Sequence, residues 1–173
     1  MTSPLKGKTV LVFGRGGGIA RAIALAAGEA GGQVIAAGRH PDTLADSYRG
    51  TAVAIEQPDG SLLFLSGATA LKPAPGMLAV AATNAAVDAV TAGLAVELAP
   101  VRVNAIAPGT IDTGAYDALG NEGKAALFAA RSAANPARRI GTADDIAAAA
   151  LMALTYGFLT GVCLPVDGGE HLV

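Results

Sequence analysis

The residues best placed to do chemistry are glycines and arginines rather than acids, thiols or imidazoles. Thr9 to Phe13 (Thr-Val-Leu-Val-Phe) runs into Gly14-Arg15-Gly16-Gly17-Gly18, followed by Ile19 and Ala20. The run reads as a buried strand and the residues after it as a helix, with Ile19, Ile23 and Ala26/Ala27 on one face. A strand, a glycine-rich turn and a helix make an anion site, because free N–H groups and the helix dipole face a phosphate. Glycine there lets backbone, rather than side chain, approach a pyrophosphate. Gly14, Arg15, Gly17, Gly18 and Ile19 are therefore expected to hold the phosphates of a dinucleotide. The spacing is Gly-x-x-x-Gly-x-Ala, not the broader Gly-x-Gly-x-x-Gly pattern. A bare tight turn is the competing reading, and the strand–helix context favours the ligand.

At the end of the next strand, Gln33 to Ala37, stands Gly38-Arg39-His40. An acidic residue there would accept a bond from a ribose 2′-hydroxyl, whereas arginine suits a 2′-phosphate through forked, charged bonds. With Arg15 beside it, Arg39 favours NADP(H) over NAD(H).

The elements that must position these residues alternate. Leu62 to Leu65, Val101 to Ala107 and Gly161 to Val166 read as further strands, separated by alanine-rich stretches, the pattern of a parallel α/β sheet. Ala81 to Leu98 places Val87, Val90, Leu94 and Leu98 at helical spacing, and Pro100 ends it. Lys124 to Ala134 reads as helix. Thr142 with Asp145 opens another as a capping box, running to about Tyr156. Gly31-Gly32 and Gly157 supply helix stops. Residues 41–60 are ambiguous. Leu44, Tyr48, Ala52 and Ile55 fit one helix face, while Ala52 to Ile55 fits a strand in a hairpin over Pro58-Asp59-Gly60. The helix is preferred, because a parallel strand ending near Gln57 leaves about four residues, roughly 14 Å, to return to the next strand.

The 173 residues suit a single domain. Hydrophobic residues make up 52% and charged ones 15%, with a formal charge of −2, which excludes a disordered chain and a nucleic-acid binder with a basic stripe. One cysteine, Cys163, excludes an intrachain disulfide and fits a reducing compartment. No apolar run of about 18 residues is present, so no membrane span is expected. The start, Met-Thr-Ser-Pro-Leu-Lys, lacks a signal peptide's apolar stretch, and a cytoplasmic location is expected. His40 and His171 have no carboxylate partner at a recognisable spacing, so no metal site is expected. Cys163 reads as a core residue and Asp167 as a turn former.

Taken together, the chain resembles the short-chain dehydrogenase/reductase family. Gly14, Gly18 and Ala20 sit where that family has Thr-Gly-x-x-x-Gly-x-Gly. Pro108-Gly109 with Thr113 matches its Pro-Gly turn and following threonine. The stretches Ala92 to Asn104 and Thr160 to Gly169 resemble its helix–strand and terminal segments. The resemblance implies that Pro108, Gly109, Ile111 and Thr113 border the nicotinamide of the cofactor. It also implies a homo-oligomer, through the helices around Ala81 to Leu98 and Ala125 to Ala134.

The departures are as informative. The family's Tyr-x-x-x-Lys falls on Val80 and Asn84, and its serine on Gly67, beside Ser66. Valine has no proton to give. Ser66, Asn84 and Tyr116 remain as weak catalytic candidates, the last more simply a packing or lid residue. A third strand, its helices and a fourth strand, on the order of sixty residues by the usual size of such units, have no counterpart. Phe13 stands where the loop threonine would brace that fourth strand. The expected fold is one shortened, doubly wound, Rossmann-like parallel sheet of strand order 2-1-3-4-5. Two functions follow: an atypical NADP(H) oxidoreductase acting on a small apolar carbonyl or alcohol, or an inactive nucleotide-binding or oligomer-partner protein. The substrate pocket is expected among Met77, Leu78, Val80, Ile111 and Tyr116.

Overall fold

The computed structural model describes residues 3–13, 18–37 and 60–173. Strands β1 (Thr9–Phe13) and β2 (Gln33–Ala37) have the bounds that the apolar runs predict. They pair in parallel, Thr9 opposite Gln33 and Phe13 opposite Ala37. Helix α1 (Gly18–Glu29) joins them, burying Ala20, Ile23, Ala24 and Ala27 at helical spacing. Gly31, at φ 85°, ends the turn after it, where a left-handed residue is needed. The expected helix over residues 41–57 lies outside the described residues.

After Gly60 come β3 (Ser61–Leu65), α2 (Leu78–Glu97), β4 (Arg102–Pro108), β5 (Ile111–Asp112), α3 (Gly120–Ala134), β6 (Gly141–Thr142), α4 (Ala143–Thr155) and β7 (Cys163–Val166). β4 lies between β3 and β7, parallel to both. Its residues Val103, Ala105, Ile106 and Ala107 are fully buried, as a central parallel strand requires. β5 and β6 form a short parallel pair of their own.

The α/β class, the Rossmann-like arrangement and the local orders β2-β1 and β3-β4-β7 match expectation. The one junction that the order 2-1-3-4-5 also needs, a β1–β3 ladder, is not made among the described residues. The two parts are held instead by side chains. α1 packs along α4, and one core cluster joins Val10 and Ile23 to Ile106, Ile146 and Ala150. Small residues on both helices permit the close approach.

Helix α4 is capped at both ends. Thr142 and Asp145 form the expected capping box, and Arg139 forks onto Asp145 at 2.6 and 2.7 Å. At its other end Arg102 donates to the carbonyls of Ala153, Leu154 and Tyr156 at 2.6–3.0 Å. That places a cation on carbonyls the helix leaves unpaired.

Helix α2 departs from expectation. Its buried residues are Ala81 and Thr91, while Val90 and Leu98 of the expected core stripe are exposed. Val87 and Leu94 of the same stripe are half-buried, so only part of it meets the sheet. By length and composition this helix is also long and apolar enough to cross a membrane, although no continuous apolar run shows it. It packs on β4 and β3.

Candidate cofactor site

Gly18 begins α1 at φ +54°, and a Cβ added there would lie 3.3 Å from Thr113 Cβ. The first turn of α1 and the segment after β4 therefore meet side by side. This junction brings together two of the groups singled out in the sequence, Gly18-Ile19 and the Pro108–Thr113 turn. Gly14, Arg15, Gly17 and Arg39 lie outside the described residues.

The turn itself is held from behind. Gly109 donates its N–H to Val166 O at 3.3 Å. Thr110 donates its N–H to Glu170 Oε2 at 2.7 Å and its hydroxyl to Glu170 Oε1 at 3.0 Å. Arg131, on α3, reaches the same carboxylate at 2.9 Å. A Cβ on Gly109 would fall 2.6 Å from Asp167 Cβ and 2.8 Å from Asp167 Cα. Glycine is thus required by proximity to backbone.

Asp167, almost fully buried, accepts from Gly169 N–H at 2.9 Å and His171 N–H at 3.0 Å. Its Oδ2 also lies 2.6 Å from His171 Nδ1. Burial pushes this carboxyl up, but the bonds from the His171 ring and from the Gly169 and His171 amides outweigh it and hold the pKa below the usual value. The turn-former role expected of Asp167 is observed. The expectation that His171 has no carboxylate partner is corrected. The pair is four residues apart but sits in an irregular turn after two left-handed glycines, where helical spacing gives no warning. Glu170, the residue that fixes Thr110, carried no signal in the sequence at all.

Thr113 caps the next turn, accepting from Ala115 N–H at 3.3 Å. Ile111 is buried in the core, so its side chain does not line an open pocket as expected. Tyr116 packs edge-on against Phe128, ring centroids 5.5 Å apart. Packing was the simpler expectation for it.

Ser66 and Asn84 meet each other. Ser66 Oγ donates to Asn84 O at 3.1 Å, and Asn84 Nδ2 to Thr69 Oγ1 at 2.8 Å. Asn84 lies so close over Gly67 that a Cβ there would come within 2.6 Å of its amide nitrogen. Val80, one turn earlier on α2, is about half exposed, and Met77 and Leu78 are exposed beside it. Cys163, at the start of β7, is pushed up to about 12 by burial and by Asp88. Among the described residues no cluster of His, Cys, Asp and Glu could hold a metal ion.

A parallel α/β sheet with a glycine-opened helix against a Pro-Gly turn defines a dinucleotide-binding class of fold. Comparison with known proteins is specific. A family model described as enoyl-(acyl carrier protein) reductase matches residues 49–171. A short-chain dehydrogenase/reductase, ATR9, of Stachybotrys chlorohalonatus is 36% identical over 112 residues, covering 65% of this chain and 44% of that one. An inactive 2-(S)-hydroxypropyl-CoM dehydrogenase of Xanthobacter autotrophicus is 35% identical over 122 residues, 66% of this chain and 53% of its own. Among solved structures, a small-chain dehydrogenase in complex with NADPH superposes with TM-score 0.81 at 24% identity, covering 96% of this chain and 99% of the other. The chain belongs to the short-chain dehydrogenase/reductase family. It spans about half the length of the curated relatives it matches.

Proposed function

We propose that the chain binds NADP(H) at the junction of α1 and the Pro108–Thr113 turn. The observation that carries this reading is the contact of Gly18 with Thr113. It sets the first turn of α1 directly against the Thr113 side chain, with no side chain on the glycine to hold the two apart. The residues fit such a group: the first-turn amides at Gly18 and Ile19 suit phosphate, and the Glu170-braced turn offers a fixed edge for the nicotinamide end. Arg15 and Arg39 supply charge for a 2′-phosphate. When bound, the cofactor supplies or accepts a hydride. The protein's part is to hold and orient it, and the clamp from Glu170 onto Thr110 fixes the turn in advance.

Whether chemistry follows is a separate question. Val80 stands where the family resemblance places the proton-donating tyrosine, and the Asn84 amide is committed to Thr69. These two observations favour a nucleotide-binding protein without redox turnover over an oxidoreductase for a small apolar carbonyl. The outward apolar face of α2, with Val90 and Val96 exposed, supports a homo-oligomeric assembly, and a reducing cytoplasm fits the lone thiol.

Calorimetric titration with NADPH, with NADH as control, tests the binding reading. Micromolar NADPH binding, clearly tighter than NADH, is expected. Failure of both nucleotides to bind contradicts it. A panel of small carbonyls then separates the two functions: NADPH oxidation above the protein-free rate supports the enzyme, and none despite binding supports the non-redox protein.

A further inference from the structure

Helix α3 has no buried residue. Its main packing partner is the 3-10 turn Gly114–Leu119, which follows Thr113 directly. A surface helix ordinarily docks through an apolar stripe. Here Lys124, Phe128 and Arg131, four and three residues apart and so on one helix face, make the contacts instead. Phe128 meets Tyr116 edge-on, and Lys124 Nζ stands 5.5 Å from the Phe128 ring centroid. Lys124 Nζ also reaches Asp112 Oδ1 at 3.0 Å and Asp117 Oδ1 at 2.9 Å. Arg131 Nη1 reaches Glu170 Oε1 at 2.9 Å.

Two of these partners belong to the cofactor turn. Asp112 lies within it, and Glu170 is the carboxylate that holds Thr110, so α3 grips the turn at two points. Glu170 Oε2 accepts the Thr110 N–H at 2.7 Å, and Oε1 the Thr110 hydroxyl at 3.0 Å. Both bonds come from one residue, so the carboxylate and Thr110 can shift together. Arg131 supplies a third, charge-assisted bond from a different element, which fixes where that pair sits. Given NADP(H) binding at the Pro108–Thr113 turn, on which this rests, we propose that Arg131, acting through Glu170, and Lys124, acting through Asp112, are positioning residues for the cofactor turn, so that docking of α3 and binding of nucleotide strengthen one another. Both cations are partly exposed, hence added salt weakens the grip.

The test follows amide hydrogen exchange and NADPH affinity together, in the full chain and in its Arg131→Gln, Arg131→Lys and Glu170→Gln variants. Arg131→Gln should speed exchange at the Thr110 amide and weaken NADPH roughly fivefold, the low end of typical coupling between sites. Arg131→Lys should restore most of both. Glu170→Gln separates positioning from bulk charge. Removing a negative charge near an anionic ligand strengthens binding through charge alone, whereas lost positioning weakens it. Reciprocally, NADPH should slow exchange at the Phe128 and Arg131 amides of the unaltered chain. Unchanged Thr110 exchange in Arg131→Gln overturns the grip of α3 on the turn, with or without nucleotide. Unchanged or tighter NADPH binding in Glu170→Gln overturns the positioning role and leaves the nucleotide site standing. No NADPH binding by the unaltered chain refutes the nucleotide site and its coupling to α3, while Thr110 exchange still decides the grip.

Discussion

Replacing Gly109 with alanine perturbs the turn at its tightest point. The added methyl would stand 2.6 Å from Asp167 Cβ, 2.7 Å from Glu170 Oε2 and 2.8 Å from Asp167 Cα. Carbon atoms prefer about 3.5–4 Å, so the turn must move away by roughly 1 Å. The Glu170 side chain can swing aside, but Asp167 Cα is backbone between β7 and the left-handed Gly168, and it cannot. Overpacking of this kind costs about 1–3 kcal/mol. Displacing Glu170 also weakens its charge-assisted bond to Thr110 N–H, worth about 1.5–3 kcal/mol. The sum, about 2.5–6 kcal/mol, is a large share of the stability of a domain this size. Urea denaturation at neutral pH measures it. Glu170→Gln serves as the companion variant, because it weakens the bond without adding a methyl and should cost clearly less. A loss below about 1 kcal/mol for Gly109→Ala would refute the reasoning that this turn is clamped against backbone.

Other outcomes follow from the same structure. Cys163, its pKa pushed up to about 12, should react far more slowly with a disulfide reagent at pH 8 than a free thiol does, and denaturant should abolish that protection. Thr142→Ala should cost about 1 kcal/mol by removing half of the capping box on α4. Asp145, held well below the usual carboxylate range by Arg139 and Thr142, and Asp167, likewise depressed, contribute stability above their unfolded pKa of about 4. That stability is lost as pH falls through the lower folded values, so melting temperature should decline progressively below about pH 4. Asp145→Asn should flatten the decline.

What the sequence disclosed, and what it withheld, has a physical pattern. β1 and β2 were legible to the residue because each is a short, continuous, largely apolar run, the pattern of parallel strands. The start of α4 was legible because a capping box is a local bond between side chain and backbone three residues apart. Periodicity shows that α2 is a helix and places Val87 and Leu94 on its half-buried side, but does not give the full contact face. Close packing there chose Ala81 and Thr91, leaving Val90 and Leu98 outside. The β1–β3 ladder is not made among the described residues. Topological rules permit a closed five-stranded sheet, yet the contact of α1 with α4 already buries Ile23, Ile146 and Ala150 without a ladder. Gly18, singled out by the glycine loop, and Thr113, singled out by the family resemblance, do lie side by side. Glu170 and the Asp167–His171 pair were not legible, since their placement follows from Gly168 and Gly169 at φ 67° and 88°.

The claim that the first turn of α1 and the Pro108–Thr113 turn form one nucleotide site is tested most directly by amide resonances during NADPH addition. The Gly18, Ile19 and Thr113 amides should shift together, along one saturation curve that NADH reproduces only at higher concentration. Saturation elsewhere with these three unmoved, or no shift at millimolar NADPH, would contradict it.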